Sequence, residues 1–434
     1  MHFDVIILGG GPGGAKAAQV LAKGGKKVAL VSDNLGGECL NYGCIPTKTY
    51  LSATELFEKI KEFQGGLKIS EAYLDWESMK QYKNKIVEKL KKKLEWSLTQ
   101  SGATLINGHG EIGENGKSVT VGQETHTTDT LILATGSRAR LLPNIEKSEK
   151  VVTNYEILDL PTVPQKLLVV GGGAIGVEFA SIFAALGSSI TIVEMGAHLL
   201  PLEDKEVGEE LRRVFERKKI TVLTETKASD EHFATNDIAL IAVGRSTAHS
   251  DTLIKQLNLT TNEHGKITTT DFLQTNQQHI YVIGDLAGKA LLAYTAEREG
   301  EIAAQHILGK TPKPINYGAV ANTIFCSPEI SSVGMSEEAA KAKFGENILV
   351  GKSPYSANSK ALILGVRDGF AKIVANKNTR VILGIHIIGE KATELIAEAS
   401  LAVANNLTID EYNENLHSHP ILGEVVKDAC SQLI

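Results

Sequence analysis

Cys39 and Cys44 lie five residues apart in the segment Gly36-Gly37-Glu38-Cys39-Leu40-Asn41-Tyr42-Gly43-Cys44-Ile45-Pro46-Thr47-Lys48. Thiols paired at short spacing, in a chain without secretory features, serve catalysis, redox sensing or metal binding. A zinc site would need further Cys or His ligands close by, and the segment has none. Two buried free cysteines are the remaining alternative. A bond between the two would carry a geometric consequence. Residues i and i+5 of a regular α-helix have Cα atoms roughly 8–9 Å apart, whereas a disulfide needs about 4.4–6.8 Å. A bonded pair therefore requires a distorted helix start, or a Cys39 that precedes regular helix. Gly43 and Pro46 suit such an irregular entry.

A second group with chemical potential lies near the C-terminus, in Leu416-His417-Ser418-His419-Pro420-Ile421-Leu422-Gly423-Glu424. A thiol substrate is a poor nucleophile until it is deprotonated. A histidine takes that proton, and a carboxylate on its other nitrogen fixes the tautomer. His419 and Glu424 have the chemistry for both roles. A metal site built on His417 and His419 lacks an evident third ligand. A structural role suits His417 better than His419.

The elements that must position these groups occur twice. Val5-Ile6-Ile7-Leu8 runs into Gly9-Gly10-Gly11-Pro12-Gly13-Gly14, and Leu167-Leu168-Val169-Val170 runs into Gly171-Gly172-Gly173-Ala174-Ile175-Gly176. Each is a buried strand, a Gly-x-Gly-x-x-Gly turn and a helix. Val28-Ala29-Leu30-Val31 and Leu131-Ile132-Leu133-Ala134-Thr135-Gly136 are echoed by Ile190-Thr191-Ile192-Val193 and Ala239-Leu240-Ile241-Ala242-Val243-Gly244. One glycine fingerprint is weak evidence; two in register, each inside a strand–turn–helix–strand unit, predict two Rossmann-like domains. The glycines let backbone N–H groups approach a pyrophosphate at a helix N-terminus, and the next strand should end in an acid for a ribose. Glu194, eighteen residues after Gly176, is that acid in the second unit. No Arg or Lys occurs from Met195 to Pro201, which favours NAD over NADP. At the same spacing from Gly14 stands Ser32, with Asp33 next to it.

From about Ile315 the pattern changes to alternating strands, such as Phe370–Val374 and Ile382–Ile388, and an alanine-rich helix over Ala392–Ala404. The earlier stretch Met79, Tyr82, Ile86, Leu90, Leu94 and Leu98 predicts an amphipathic helix. Its lysines, Lys80, Lys83, Lys85, Lys89 and Lys91 to Lys93, form the solvated face. The 434 residues suggest about three domains. A net charge of −6 gives no nucleic-acid signal, and four cysteines do not make a disulfide scaffold. The first strand begins almost at the N-terminus, so no signal peptide is expected. No apolar run is long enough to span a bilayer. A cytoplasmic protein follows.

Over essentially the whole chain these segments resemble the pyridine nucleotide-disulfide oxidoreductases. Three segments are most similar to the dihydrolipoamide dehydrogenase branch: Cys39-Leu40-Asn41-Tyr42-Gly43-Cys44-Ile45-Pro46-Thr47-Lys48, His417-Ser418-His419-Pro420 with Glu424, and Ser356-Ala357-Asn358-Ser359-Lys360-Ala361. The resemblance implies an α/β fold with two Rossmann-like domains, for FAD and NAD, and a C-terminal α+β dimerisation domain. It places the FAD domain at 1–145 and 267–314, the NAD domain at 146–266 and the interface domain at 315–434. It implies a redox-active disulfide Cys39–Cys44, with Cys39 as interchange thiol and Cys44 beside the flavin. His419 with Glu424 is the base, and Lys48 pairs with Glu178 near the flavin N5. FAD contacts are implied for Gly9, Gly11, Gly14, Asp33, Lys48, Gly110, Thr135, Gly136, Ser137, Asp285 and Ala293. NAD contacts are implied for Gly171, Gly173, Gly176, Glu178, Glu194 and Gly244. No metal is expected.

The implied activity is oxidation of protein-bound dihydrolipoamide by NAD⁺ in a homodimer. The partner is a lipoyl domain of a 2-oxo acid dehydrogenase complex or of a glycine cleavage system. Two alternatives stand beside it: another NADH-dependent disulfide or metal-ion reductase of the family, and a redox-inactive flavoprotein scaffold. Mercuric reductase would show a C-terminal cysteine pair, and Cys430 stands alone.

Three departures from the family pattern are legible. Ser32 replaces a glutamate, Tyr294 follows Leu292-Ala293 where histidine is usual, and Arg245-Ser246-Thr247-Ala248 replaces Arg-Arg-Pro-Asn. Between Thr104–Ile106 and Leu131–Leu133 there is room for a small antiparallel meander. In the second unit only Lys227–Asp237 is available, too short for three strands of about five residues each. A loop or one short hairpin is expected there.

Overall fold

Uninterrupted apolar runs such as Val5-Ile6-Ile7-Leu8 belong in strands covered on both faces. In the computed structural model, which describes every residue except 64, 144, 248 and 249, these runs are the centres of parallel sheets. The chain divides into two compact units. One comprises residues 1–46, 81–139 and 245–317; the other comprises 47–80, 140–244 and 318–434.

The first unit is built on the strand order Thr104–Asn107, Val28–Ser32, His2–Leu8, Glu124–Leu133, Ser118–Val121, Gly110–Ile112, with Ile280–Val282 also pairing with Glu124–Leu133. The strands beside His2–Leu8 are parallel to it, with Val5 opposite Val28 and Thr130. Gly110–Ile112, Ser118–Val121 and the start of Glu124–Leu133 form the expected antiparallel meander. Ile6, Ile7, Leu131, Ile132 and Leu133 have no exposed surface. Complete burial of each such side chain is worth about 1.5–3 kcal/mol.

The second unit holds two sheets. Its parallel sheet runs Thr221–Leu223, Ser189–Val193, Lys166–Val170, Ile238–Ile241, Val151–Val152. Its antiparallel sheet runs Asn322–Ile324, Ile330–Gly334, Ile382–Ile388, Phe370–Asn376, Ile348–Pro354. The helices Ala392–Ala404 and Glu424–Ser431 pack on the antiparallel sheet over a core that includes Ile373, Ile385 and Ile387.

Within this unit Lys372, which has no exposed surface, places its ammonium 3.0 Å from Asp204 Oδ1, 3.2 Å from Glu206 Oε2 and 2.6 Å from Glu337 Oε2. Burial opposes its charge, yet Glu337 and Asp204 hold the ammonium above the ordinary lysine range. Asp204 also caps the helix Lys205–Arg217 by accepting from the Glu206 N–H.

Two expectations need correction. The three-stranded meander is absent between Lys227 and Asp237, as expected, but a five-residue helix, Asp230–Ala234, stands where a loop or hairpin was expected. Ala228 and Phe233 from this segment, with Leu141 and Leu142, pack on the sheet core of Leu168, Val170, Val193, Ala239 and Ile241. A short helix can turn two apolar side chains onto a sheet face within fewer residues than a meander needs. The long helix Trp76–Gln100 is present, but its stripe is set differently: Lys83 is buried and Tyr82 is 59% exposed. Trp76, Met79, Lys83, Ile86 and Leu90 recur at three- and four-residue steps, so residue 83 falls on the inner stripe and residue 82 does not.

Candidate active site

The segment between the cysteines is not a continuous helix. A five-residue helix, Gly37–Asn41, starts from Gly36 in the left-handed region (φ 93°) and stops at Tyr42 (φ −137°, ψ 3°). A new helix, Cys44–Glu62, begins with the second cysteine. The break brings the two Cα atoms to 4.6 Å, and Cys39 and Cys44 are joined by a disulfide. Asn41 Nδ2 donates to the carbonyls of Leu35 (3.1 Å) and Gly37 (2.8 Å), and the Tyr42 N–H donates to the Glu38 carbonyl at 2.8 Å. Both cysteines are half-buried.

The two fingerprints share one backbone geometry. Gly9 and Gly171 have φ of +110° and +109°, and a Cβ on Gly14 or Gly176 would lie 2.0 Å from the Gly9 or Gly171 carbonyl oxygen. Gly11 and Gly173 open the helices Pro12–Lys23 and Ala174–Ala185 with no side-chain cap, so first-turn N–H groups are left to bind phosphate oxygens. The helix Ala293–Ile307 likewise opens without a side-chain cap. These features fit FAD in the first unit and NAD in the second.

The ends of the following strands differ between the units. Glu194 accepts from the Gly172 N–H at 2.7 Å and from the Gly196 N–H at 2.6 Å. In the first unit Ser32 Oγ accepts from the Asn34 N–H at 3.1 Å, which reproduces only the short-range bond of Glu194, and Asp33 is exposed. Gly110 begins a meander strand, while Thr135, Gly136 and Ser137 follow directly on the strand Glu124–Leu133. Gly244 is in the left-handed region (φ +106°) with open space where a Cβ would stand.

Ser137 donates a hydrogen bond to Asp285. Burial pushes the Asp285 carboxyl up, against the opposing pull of Ser137 and Arg245, and the neighbouring Glu38 adds to the rise. The Gly284 N–H beside it donates to the fully buried Glu299 at 2.6 Å, and Tyr317 donates to the same carboxylate at 2.7 Å.

In the second unit Lys48 Nζ donates to both oxygens of Glu178, at 2.9 and 2.8 Å. Glu178 is 5% exposed and also accepts from the Phe325 N–H at 2.9 Å. Lys48 follows Cys44 by one helical turn on the helix Cys44–Glu62. His419 Nδ1 lies 2.9 Å from Glu424 Oε1, and Glu424 Oε2 accepts from the Ile421 N–H at 3.0 Å. His419 holds the Glu424 carboxyl below the usual glutamate range, aided by the Ile421 N–H. The His419 side chain is 68% exposed, and Nε2 has no partner among the described residues.

His417 is different. Its side chain is 4% exposed, with Nε2 3.0 Å from Glu398 and Nδ1 3.2 Å from the Asn415 carbonyl. These contacts make it a brace for the loop. Among the described residues, the group of metal-ligating side chains that comes together is His2, Asp4 and Asp129, which contains neither cysteine and neither His417 nor His419.

Residues 3–300 match the family described as pyridine nucleotide-disulphide oxidoreductase, and residues 320–430 match its dimerisation domain. The chain belongs to this family. Among the relatives of this oxidoreductase is the dihydrolipoyl dehydrogenase of Bacillus subtilis (strain 168), 35% identical over 99% of this chain and 97% of that protein. The dihydrolipoyl dehydrogenase of Chlorobaculum parvum is 36% identical, covering 99% and 96%. Similar solved structures include the Cu(II) complex of the HOCl-induced flavoprotein disulfide reductase RclA from Escherichia coli, with a TM-score of 0.89, 25% identity and coverage of 100% and 99%. LpdA from Mycobacterium tuberculosis gives 0.88 and 26%, with 99% of each chain covered. The family's cofactors are FAD and NAD(H), in keeping with the two fingerprints.

Sequence reasoning gave no role to Arg245, Glu38 or Glu299 in this oxidoreductase. Arg245 NH2 lies 2.8 Å from Glu38 Oε2, and its guanidinium donates to Ser137 Oγ and to the Ser137 carbonyl, both at 2.7 Å. A charged residue inside the otherwise neutral Gly36-Gly37-Glu38-Cys39-Leu40-Asn41 turn was the available signal. Its partner, more than two hundred residues away in the chain, had none.

Proposed function

We propose that this protein is an NAD-dependent dihydrolipoyl dehydrogenase, acting on dihydrolipoamide through the Cys39–Cys44 disulfide. The observation that carries the reading is that disulfide, seated where the helix breaks between two glycine-supported segments of a dinucleotide-binding unit. His419 Nε2, with Glu424 on Nδ1, takes a proton from one substrate thiol. The thiolate attacks Cys39 Sγ, the Cys39–Cys44 bond breaks, and Cys44 leaves as a thiolate. The second substrate thiol gives its proton to the departing Cys39 as it displaces it from the mixed disulfide, which releases lipoamide and leaves Cys39 a thiol, Cys44 a thiolate and His419 protonated. FAD held at the first glycine fingerprint would supply the two-electron acceptor between this pair and NAD⁺, with Cys44 as the sulfur beside it. Lys48 holds its charge against Glu178, which the Phe325 N–H keeps in place.

The dimerisation domain supports a homodimer, in which His419 of the partner subunit completes each site. The substrate is carried by a lipoyl domain of a 2-oxo acid dehydrogenase complex or a glycine cleavage system. Among the described residues no helix is long and apolar enough to cross a membrane, and we assign the protein to the cytoplasm. The other two cysteines, Cys326 and Cys430, are free and buried.

The test is dihydrolipoamide-dependent NAD⁺ reduction by the purified protein. Turnover confirms the reading. NADH-dependent reduction of another disulfide or a metal ion, with no lipoamide turnover, would establish the reductase alternative. Bound FAD with no turnover of any of these would establish a scaffold.

A further inference from the structure

We infer that the Glu38–Arg245 ion pair is a positioning device that holds Cys39 in place when the disulfide is open. The inference rests on the proposed role of Cys39 and Cys44 as the redox couple. Reduction adds two electrons, breaks the Sγ–Sγ bond and leaves Cys44 as a thiolate and Cys39 as a thiol that has gained one proton. At that moment the covalent tie between the two segments is gone. Cys39 then sits in a five-residue helix, too short to persist by its own hydrogen bonds. The Asn41 bonds to Leu35 and Gly37 stay inside the same loop. They shape it, while the Gly36 N–H bond to the Gly10 carbonyl at 2.8 Å fastens only its start to the fingerprint.

Glu38 supplies a charged tie that leaves the loop. Its Oε2 meets Arg245 NH2 at 2.8 Å, in a pair whose side chains are 30% and 15% exposed. Arg245 is itself immobilised. Nε and NH2 donate to Ser137 Oγ and to the Ser137 carbonyl at 2.7 Å, and Nε lies 3.9 Å from Asp285. Its backbone pairs antiparallel with Ala139, and Ser246 pairs with Arg138. The forked guanidinium therefore fastens the residue before Cys39 to the end of the central strand Glu124–Leu133. The guanidinium, fixed by its two bonds to Ser137, keeps its charge beside Glu38, and the contact with Oε2 is an ion pair without hydrogen-bond geometry.

The consequence is a high effective concentration of the Cys39 thiol at Cys44. A well-held thiol favours re-formation of the disulfide and makes its reduction potential more negative; a loosened one does the opposite. The test is the midpoint potential of the Cys39–Cys44 couple in the FAD-loaded protein. It is measured by anaerobic equilibration with NADH/NAD⁺ mixtures and no lipoyl substrate. Glu38→Ala should lower the effective concentration at least tenfold, which raises the potential by about 30 mV.

Glu38→Gln removes the charge on which the pair depends and should raise the potential in the same direction as Glu38→Ala. In an Arg245→Met background Glu38→Ala should have no further effect. A Glu38→Ala potential within threefold of wild type would overturn the inference. So would a Glu38→Ala shift of undiminished size in the Arg245→Met background, which would mean that the charge beside the thiol acts without the pair. Where Arg245→Met fails to retain FAD, Arg245→Gln, which lacks the charge but keeps a donor for Ser137, serves as the background. A protein that shows these shifts but does not oxidise dihydrolipoamide keeps this inference and loses the proposed substrate.

Discussion

Replacing Glu194 with Ser would give the second nucleotide site the residue that the first already has at position 32. Glu194 is held by two backbone donors, Gly172 N–H at 2.7 Å and Gly196 N–H at 2.6 Å, so its charge has a fixed position at the end of the strand Ser189–Val193. A fixed carboxylate discriminates in two ways. At a bound nucleotide it would accept from the ribose hydroxyls of NAD and would repel the 2′-phosphate of NADP. Two unit charges about 4 Å apart repel by about 1 kcal/mol in water and about 4 kcal/mol near a protein surface. A value near the middle, about 2.7 kcal/mol, corresponds to a hundredfold preference.

Wild type should therefore use NAD⁺ at least about a hundredfold better than NADP⁺ in kcat/KM. Glu194→Ser should reduce the ratio to below about ten, by losing NAD⁺ efficiency more than by gaining NADP⁺ efficiency. No arginine or lysine from Met195 to Pro201 is available to bind a phosphate. The assay compares both cofactors at one ionic strength, with NADH binding followed by fluorescence. Comparable wild-type rates with the two cofactors would refute the argument, and so would a variant that keeps the full preference. Absence of NADH binding in wild type would instead show that the short helix Asp230–Ala234 does not preserve this site.

Three further outcomes follow from the same geometry. Cys44→Ser should retain FAD and lose the long-wavelength absorbance that a thiolate gives beside a reduced-enzyme flavin; an unchanged band would assign the flavin to the other sulfur. His419→Ala should lower dihydrolipoamide oxidation by about 10²–10⁴-fold while NADH-to-dye activity persists, and equal loss of both would make the residue structural. Lys372→Met leaves Asp204, Glu206 and Glu337 without their shared cation and should destabilise the fold by about 3–5 kcal/mol at neutral pH, measured by denaturant unfolding. In wild type the carboxyls of Asp204 and Glu337 are held below the usual range. Their contribution is therefore present above about pH 4 and lost as pH falls through the depressed values. In the variant, protonation relieves the uncompensated charge, so its deficit should shrink on acidification; a constant deficit from pH 7 to pH 4 would contradict this account.

Local pattern and spacing were enough for much of this protein. The repeated strand–glycine–helix units, the first-unit meander, the antiparallel strands Phe370–Asn376 and Ile382–Ile388 and the helix Ala392–Ala404 were all legible, because apolar periodicity and glycine placement are local properties. The cysteine spacing also implied that a bonded pair must interrupt its helix, and the break at Tyr42 is that interruption. The pairing of His419 with Glu424 was within reach for the same reason, being five residues long.

What tertiary structure decided lies at long separation. Lys83 reads as one more solvated lysine until the stripe of its helix is fixed by what it packs on. The burial of Lys372 among Asp204, Glu206 and Glu337 joins residues from distant segments, and no periodicity announces it. Arg245 meets Glu38 and Ser137 only because the short strand Arg245–Ser246 returns beside Arg138–Ala139. A charge pair has no sequence period, and its strength depends on burial and angle. Those are settled only after the apolar segments have chosen their neighbours.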